Sequence, residues 1–494
     1  EYHPFTYYGA EDAENIIVAM GSVTETIRET IDYLAAQGKK VGLISVHLYR
    51  PFSAKHFLSV LPKSAKRICV LDRTKEPGAG GEPLYLDVKD VLYGTENQPL
   101  VVGGRYGLSS KDFTPAQVLS VYQNLGLPSP RNGFTVGIVD DVTFTSLPLG
   151  EEIPMGAEGT YEAKFYGLGA DGTVGANKNS IKIIGDNTDK YSQAYFAYDS
   201  KKSGGFTCSH LRFGDKPIRS TYLVTTPDFV ACHVQAYLRL YDVTKGLKKN
   251  GTFLLNTVWT PEEVQKNLPT NVKKYLAANN ITLYIINATN IAQEIGLGNR
   301  TNTILQSAFF KITNVIPYEL AVEKMKYAIV KSYGKKGEKV INMNYAAVDR
   351  GGDYVKVEVP ADWANLTDDD AIIGSTVPDF IKNIVVPINA QAGDDIPVSA
   401  FKGREDGTWD QGTTKFEKRG VAANVPVWDK DNCIQCNQCA YVCPHAAIRP
   451  FVLDTNELSK APFAADTLKA NGKQFADMNF RIQVDVLDCM GCDN

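Results

Sequence analysis

Six cysteines crowd into residues 433–492 of this 494-residue chain, and their spacing restricts what that end can fold around. Four of them form the pattern C-x2-C-x2-C-x3-C-P, at Cys433, Cys436, Cys439 and Cys443. The two-residue gaps let one tight loop present three thiolates to an iron–sulfur cubane, while the fourth thiolate reaches a different cluster. Zinc sites use C-x2-C pairs without this three-thiolate run, so a zinc knuckle is the weaker alternative.

A second motif, Cys489-Met-Gly-Cys492, starts the same pattern and ends two residues before Asn494. The pattern divides the thiolates into two sets of three, which are Cys433, Cys436 and Cys439, and Cys443, Cys489 and Cys492. Each [4Fe–4S] cluster then needs one more thiolate, so we expect a longer polypeptide to supply it. We expect this chain alone to hold clusters poorly or as [3Fe–4S] forms.

The rest of the composition is that of a globular α/β protein. Apolar residues make up 44% and charged residues 22%, and the formal net charge is −4, which favours neither nucleic acid nor an anionic membrane as a partner. We find no long apolar run and no signal peptide at the start, and we expect a cytoplasmic protein of about three domains. The remaining cysteines, Cys69, Cys208 and Cys232, are expected to be buried rather than nucleophilic.

Alternating apolar strands and amphipathic helices predict parallel sheets in two successive units. Strands at 15–20 and 41–46 flank a helix that a capping box from Ser22 to Glu25 would start, which is a βαβ unit. A second unit begins near Gly150, with strands expected at 161–166, 194–198, 222–225, 252–256 and 281–287. Residues 391–425 are predicted to be a linker or a small irregular domain.

A glycine motif in the second unit predicts a ligand loop. The sequence G-x-G-x-x-G runs from Gly167 to Gly172, directly after a strand and before a helix expected to begin at Thr173. In this context the glycines let the backbone approach a diphosphate, and the helix start supplies N–H donors. A tight turn with close helix–sheet packing is the alternative.

Two further polar segments suit the same kind of ligand. Asp199 is followed by Lys201 and Lys202, and two lysines suit a ribose phosphate better than the free diol of NAD. Coenzyme A or NADP therefore fits, although a solvated charged turn is the alternative. Asn302 lies where a long apolar helix opens and is a second candidate anion contact.

Several strings in the chain resemble the pyruvate:ferredoxin (flavodoxin) oxidoreductase family, and the likeness covers essentially the whole chain. These strings are GAEDAE at 9–14, LYRPF at 48–52, LDRTKEPG at 71–78, FYGLGADGTVGANK at 165–178, GNRTNT at 298–303 and the cysteine-rich end. The resemblance implies a transketolase C-terminal-like three-layer domain at 1–148 and a γ-type catalytic α/β domain at 149–390. It also implies a small linking domain at 391–425 and a truncated two-cluster ferredoxin-like α+β domain at 426–494.

By the same resemblance, coenzyme A contacts are expected at Gly172, Thr173, Val174, Gly175 and Ala176, and also at Lys202 and Asn302. The family uses thiamine diphosphate with Mg²⁺, but the chain carries no G-D-G followed by a distant asparagine. We therefore expect the thiamine-binding domains to lie elsewhere in the parent polypeptide and the isolated chain to be inactive. A homodimer is implied, and no catalytic residue is assigned.

The implied reaction is oxidation of pyruvate with coenzyme A to acetyl-CoA and CO2, with electrons leaving through [4Fe–4S] clusters to ferredoxin or flavodoxin. Another 2-oxoacid, such as 2-oxobutyrate or 2-oxoglutarate, is an alternative substrate. A non-catalytic electron-transfer module is a second alternative, and an NADP-dependent reductase is a third.

Overall fold

The computed structural model describes residues 2–96, 98–199, 204–367, 377–461 and 464–492, which form three successive sheets. The first sheet has six strands with helices on both faces. Its elements are β1 (Phe5–Gly9), β2 (Asn15–Met20), α1 (Val23–Ala36), β3 (Val41–Val46), α2 (Ala54–Val60), β4 (Arg67–Asp72), α3 (Pro83–Leu92), β5 (Leu100–Arg105), α4 (Pro115–Gly126) and β6 (Phe134–Thr135). The strand order is β1-β3-β2-β4-β5-β6, parallel except for β1.

The second sheet has seven strands and carries the larger core. Its elements are β7 (Tyr161–Leu168), α5 (Thr173–Asn187), β8 (Tyr191–Tyr198), β9 (Phe206–Gly214), β10 (Phe229–Cys232), α6 (Tyr237–Leu240), β11 (Thr252–Asn256), α7 (Pro261–Asn267), α8 (Thr270–Ala278), β12 (Thr282–Ile286), α9 (Ala288–Glu294), α10 (Asn302–Thr313), α11 (Tyr318–Tyr333), α12 (Glu338–Asp349) and β13 (Val355–Val357). The order is β13-β12-β11-β10-β7-β9-β8, in which β7 and β10–β12 run parallel. Apolar clusters cover both faces, as a buried α/β sheet requires.

The third sheet is small and antiparallel. It follows a segment of short turns that contains α13 (Val386–Asn389), and its elements are α14 (Gln438–Val442), β14 (Ile448–Leu453), α15 (Thr455–Ser459), β15 (Leu468–Lys469) and β16 (Asn479–Val484). Its interior has three buried apolar side chains, those of Ala470, Phe480 and Ile482. A core of this size is too small to hold a fold on apolar burial alone, and bound metal is the usual compensation.

The first two units meet through side chains rather than shared strands. Ser220 donates to the Glu29 carboxylate at 2.7 Å, and the Leu223 amide donates to Asp112 at 2.8 Å. Arg219 reaches the Tyr8 hydroxyl at 3.0 Å. The segment around 219–223 therefore fixes the second sheet against α1 and the loop before α4.

The structure confirms most predicted elements and corrects two. Residues 222–225 do not form a strand, and Ser22 makes no side-chain cap because its own backbone is already helical, with φ −62° and ψ −25°. The segment 391–425 is irregular, as predicted, with only short turns. Within the described ranges, no helix combines the length and apolar character needed to cross a bilayer.

Candidate nucleotide pocket and thiol centre

The glycine loop turns sharply from β7 into α5, and two of its glycines have no room for a side chain. A Cβ on Gly167 would lie 2.7 Å from the Thr173 side chain, and one on Gly172 would lie 2.8 Å from Cγ of Asn302. Gly172 also has φ +89°, in the left-handed region that favours glycine. The motif is therefore needed for close packing of the loop against α5 and α10.

Asp171 organises the loop from inside. Its carboxylate accepts hydrogen bonds from the Leu168 amide, the Thr173 amide and the Thr173 hydroxyl, each at 2.8 Å. Burial raises the pKa of Asp171, and these bonds oppose that rise. Because Asp171 accepts from the first amide of α5, the next amides of the helix start are those of Val174 and Gly175, which have no intrahelical acceptor and no partner among the described residues.

His233 extends this hydrogen-bond chain from the end of β10. Its Nδ1 lies 2.7 Å from the Thr173 hydroxyl, whose own hydrogen goes to Asp171, so the ring donates through Nδ1. Burial lowers the pKa of His233 to about 3, which keeps the ring neutral. Sequence reasoning did not single out Asp171, although it lies inside the glycine motif, and it missed His233 because 60 residues separate Thr173 from His233 and no local pattern connects them.

Beside this loop lies a cavity of about 330 Å³, with walls from the glycine loop, the end of β8 and the start of β9. Gly172 and Val174 line it, and the Thr207 side chain in its wall carries a buried hydroxyl with no hydrogen-bond partner among the described residues. Free helix-start amides together with an unsatisfied hydroxyl fit a ligand that carries phosphate.

Of the other predicted coenzyme A contacts, Thr173, Gly175, Ala176 and Asn302 do not line this cavity. Gly175 and Ala176 continue α5, and Asn302 packs on Gly172 from the start of α10. Asp199 lines the cavity and accepts a 3.0 Å hydrogen bond from the Phe206 amide. Lys202 lies outside the described residues.

The six clustered cysteines lie in the third unit as free thiols. Cys433, Cys443 and Cys489 are partly buried, whereas Cys436, Cys439 and Cys492 are exposed. Cys433 and Cys436 precede α14, Cys439 lies in it and Cys443 follows it, while the last two cysteines follow β16, the central strand of the small sheet. The fold therefore brings both motifs into one unit, although 46 residues separate Cys443 from Cys489.

The backbone around α14 turns its amides toward sulfur. Gln435, Asn437 and Ala446 are all left-handed, which wraps the chain tightly around this segment. The Ala447 amide donates to Sγ of Cys443 at 3.3 Å. Although burial raises the pKa of Cys443, amides from the turn that follows it lower that pKa below its usual value.

These features fit an anionic iron–sulfur group. In the described part of the chain, no three His, Cys, Asp or Glu side chains approach closely enough to hold a single metal ion. A cubane spreads its thiolates over several irons, so its ligands lie farther apart than those of one ion. A donor set of sulfur alone, with amides directed at one thiol, suits such a cluster.

The three scattered cysteines are buried in the two large sheets, as expected. Burial raises the pKa of Cys208 to about 11 and that of Cys232 to about 12. Their thiols therefore stay protonated at neutral pH and serve as packing groups.

Family models match four stretches of the chain in order. They are pyruvate:ferredoxin oxidoreductase core domain II at 13–118, pyruvate ferredoxin/flavodoxin oxidoreductase at 162–354, a domain of unknown function at 368–422 and a 4Fe-4S binding domain at 425–448. The second of these contains the glycine loop, His233 and Asn302, and the last contains the first cysteine motif.

Curated relatives match along the full chain. A pyruvate-flavodoxin oxidoreductase from Enterobacter agglomerans is 55% identical, and a pyruvate:ferredoxin oxidoreductase from Moorella thermoacetica is 56% identical. Each alignment covers 100% of this chain and 42% of the relative, so the chain spans less than half the length of these relatives.

Among solved structures, a pyruvate oxidoreductase subunit from Thermotoga maritima is similar to 41% of this chain and 100% of its own, with 24% identity and a TM-score of 0.33. The family models and the full-length alignments together confirm the resemblance identified from the sequence. This chain is similar over its whole length to pyruvate-flavodoxin and pyruvate:ferredoxin oxidoreductases, and successive segments match the models for their core domain II, their oxidoreductase domain and a 4Fe-4S binding domain.

Proposed function

We propose that this chain supplies the coenzyme A site and part of the electron path of an enzyme that oxidises pyruvate. The overall reaction is pyruvate plus coenzyme A giving acetyl-CoA, CO2, one proton and two electrons, which leave singly for ferredoxin or flavodoxin. The observation that carries the proposal is the 55% identity along the full chain to an enzyme named for pyruvate and flavodoxin. A pocket with phosphate-binding character and a thiol-rich unit in the same chain support it.

In this proposal the glycine loop holds the coenzyme A diphosphate. The free amides of Val174 and Gly175 would donate to it, with the positive end of the α5 dipole behind them. Asp171, Thr173 and His233 would keep the loop in shape, and Asn302 would close it from the side of α10. Lys202 would meet the ribose phosphate.

The six clustered thiolates would serve as ligands of two [4Fe–4S] clusters, which when bound accept and pass on single electrons. Cys433, Cys436 and Cys439 would form one ligand set, and Cys443, Cys489 and Cys492 the other. Thiamine diphosphate with Mg²⁺ would be bound by other parts of the parent enzyme. We also propose the domain limits given above, because the three sheets lie within residues 5–135, 161–357 and 448–484.

Isothermal titration of the chain with coenzyme A, dephospho-coenzyme A and NADPH tests the pocket. Coenzyme A should bind about tenfold more tightly than its analogue without the ribose phosphate, since a charge-assisted contact is worth roughly 1.5 kcal/mol. Lys202→Ala should remove that preference. Lys190→Ala, at the opposite end of β8, is the matched control and should preserve it.

Tight binding of NADPH without binding of coenzyme A would instead favour the reductase alternative. If neither nucleotide binds, the proposed pocket is wrong, and the electron-transfer module becomes the better description of the chain.

A further inference from the structure

A methionine inside the second cysteine motif packs directly against the edge of the candidate pocket. Met490 lies between Cys489 and Gly491 and is only 9% exposed. A Cβ built on Gly204 would lie 1.5 Å from Cε of Met490, so the methionine occupies the space that a side chain at 204 would need. The second thiol motif therefore contacts the turn between β8 and β9.

That turn is hydrogen-bonded to the glycine loop. The Gly169 amide donates to the Gly205 carbonyl at 2.7 Å, and the Gly204 amide donates to the Gly169 carbonyl at 3.4 Å. Gly169 and Gly205 both line the cavity. A ligand that moves or orders Gly169 must therefore also affect Gly204, against which Met490 packs.

The loop before α10 provides a second connection between the two sites. The Asn299 side chain donates from Nδ2 to the Gly491 carbonyl at 2.6 Å, within the motif from Cys489 to Cys492. Three residues later, Asn302 packs on Gly172 of the glycine loop. One short loop therefore contacts both the pocket and the thiol motif.

Residues 418–420 connect the turn between β8 and β9 to the segment that precedes the second cysteine motif. The Arg419 guanidinium donates to the Gly204 carbonyl, and the Gly420 amide donates to the Leu487 carbonyl at 2.9 Å. Lys418 pairs with Asp485 at 2.8 Å and also with Asp488. The segment before the second motif is thus fixed to the same turn that Met490 contacts.

We propose that Met490 and Asn299 are positioning residues that couple the second cysteine pair to the nucleotide pocket. Ligand in the pocket orders the glycine loop and the loop before α10, and these contacts pass that order to Cys489. The inference rests on the proposed function for its ligand, but it concerns the geometry of the thiol pair rather than the ligand's chemistry. Local opening around Cys489 should then become rarer when the pocket is filled.

Hydrogen exchange in the chain reconstituted with iron and sulfide tests this coupling. Desulfo-coenzyme A is used as the probe, because it has no thiol that could attack iron, and deuterium uptake is followed peptide by peptide with mass spectrometry. Saturating probe should slow exchange in the peptide that contains Cys489 about fivefold. Cys433 is equally a partly buried thiol but lies in the first motif, so its peptide is the internal control and should be unaffected.

Variants separate coupling from simple stability. Met490→Ala and Asn299→Ala should each bind the probe normally by titration yet lose the protection of Cys489. Met490→Leu conserves the volume and should retain it. The two alanine variants remove different contacts, so each tests the coupling independently.

The outcomes distinguish this inference from the proposed function. If the wild-type chain gives no binding heat with coenzyme A or with the probe, the proposed pocket fails. If the probe binds but the peptide that contains Cys489 exchanges at an unchanged rate, or if both alanine variants keep full protection, the pocket stands and the coupling is wrong.

Discussion

His233 donates a 2.7 Å hydrogen bond through Nδ1 to the hydroxyl of Thr173, which links the end of β10 to the first turn of α5. The ring that donates this bond is neutral at physiological pH, because burial lowers the pKa of His233 to about 3. An unfolded histidine titrates near pH 6.5. Below that pH the unfolded chain therefore binds a proton that the folded chain excludes.

The free energy of unfolding therefore falls as the pH drops from about 6.5 toward 3. Relative to His233→Asn, which keeps a donor but does not titrate, the wild type should lose about 1.4 kcal/mol per pH unit below about pH 6. Urea titrations read by hydrogen exchange in β10 measure this difference. Parallel curves for the two proteins between pH 7 and pH 4 would contradict the assignment.

Gly172→Ala should damage the pocket without unfolding the chain. The new Cβ would meet Asn302 at 2.8 Å, and alanine at φ +89° costs about 1–2 kcal/mol of backbone strain. We expect coenzyme A to bind at least about tenfold more weakly. Gly175→Ala is the control for stability, because its Cβ meets no atom within 4 Å and a helical alanine should stabilise α5 by roughly 0.5–1 kcal/mol. A lower unfolding temperature for Gly172→Ala and a higher one for Gly175→Ala would support this interpretation.

Arg212→Met should strongly destabilise the second unit. Arg212 and Glu162 are both buried and paired at 2.6 Å, and removing the arginine leaves the buried carboxylate with Lys248, 3.6 Å away, as its remaining cation. The expected loss in the free energy of unfolding is about 3–5 kcal/mol. Lys190→Ala breaks the pair between Lys190 and exposed Asp215, and it should cost less than about 1 kcal/mol. Similar losses in the free energy of unfolding for both variants, measured with urea, would show that the buried pair contributes no more to stability than the exposed one.

Anaerobic reconstitution should load iron and acid-labile sulfide rather than zinc onto the third unit. Replacing Cys436 or Cys439 by serine should lower the bound iron, because a sulfur ligand of the first motif is lost. Cys69→Ala removes a buried thiol of the first sheet and should leave the iron content unchanged. Metal analysis and electron paramagnetic resonance provide the measurement. Stoichiometric zinc with no iron would refute the cluster assignment.

Local patterns predicted the elements whose hydrogen bonds are made within a helix or between neighbouring parallel strands. Strands at 15–20, 41–46 and 252–256 and the start of α5 at Thr173 follow from apolar runs and from glycine placement. The glycine loop was also identified, because its motif needs only its immediate neighbours in the chain.

The segment 222–225 shows why other predictions failed. Its sequence favours a strand, but Arg212 takes the carbonyls of Tyr222 and Leu223, and Asp112 takes the Leu223 amide. Backbone groups satisfied by distant side chains have no need of a partner strand. The links from Thr173 to His233 and from Gly204 to Met490 are equally long-range, so no sequence period could indicate them.

The third sheet has three buried apolar side chains, and much of what surrounds them is exposed. If iron is stripped by an oxidant, little remains to keep this unit compact. Proteases cleave the chain segments that open most readily. Loss of a bound cluster would thus open this unit to proteolysis before the two larger sheets, whose apolar cores are far more extensive.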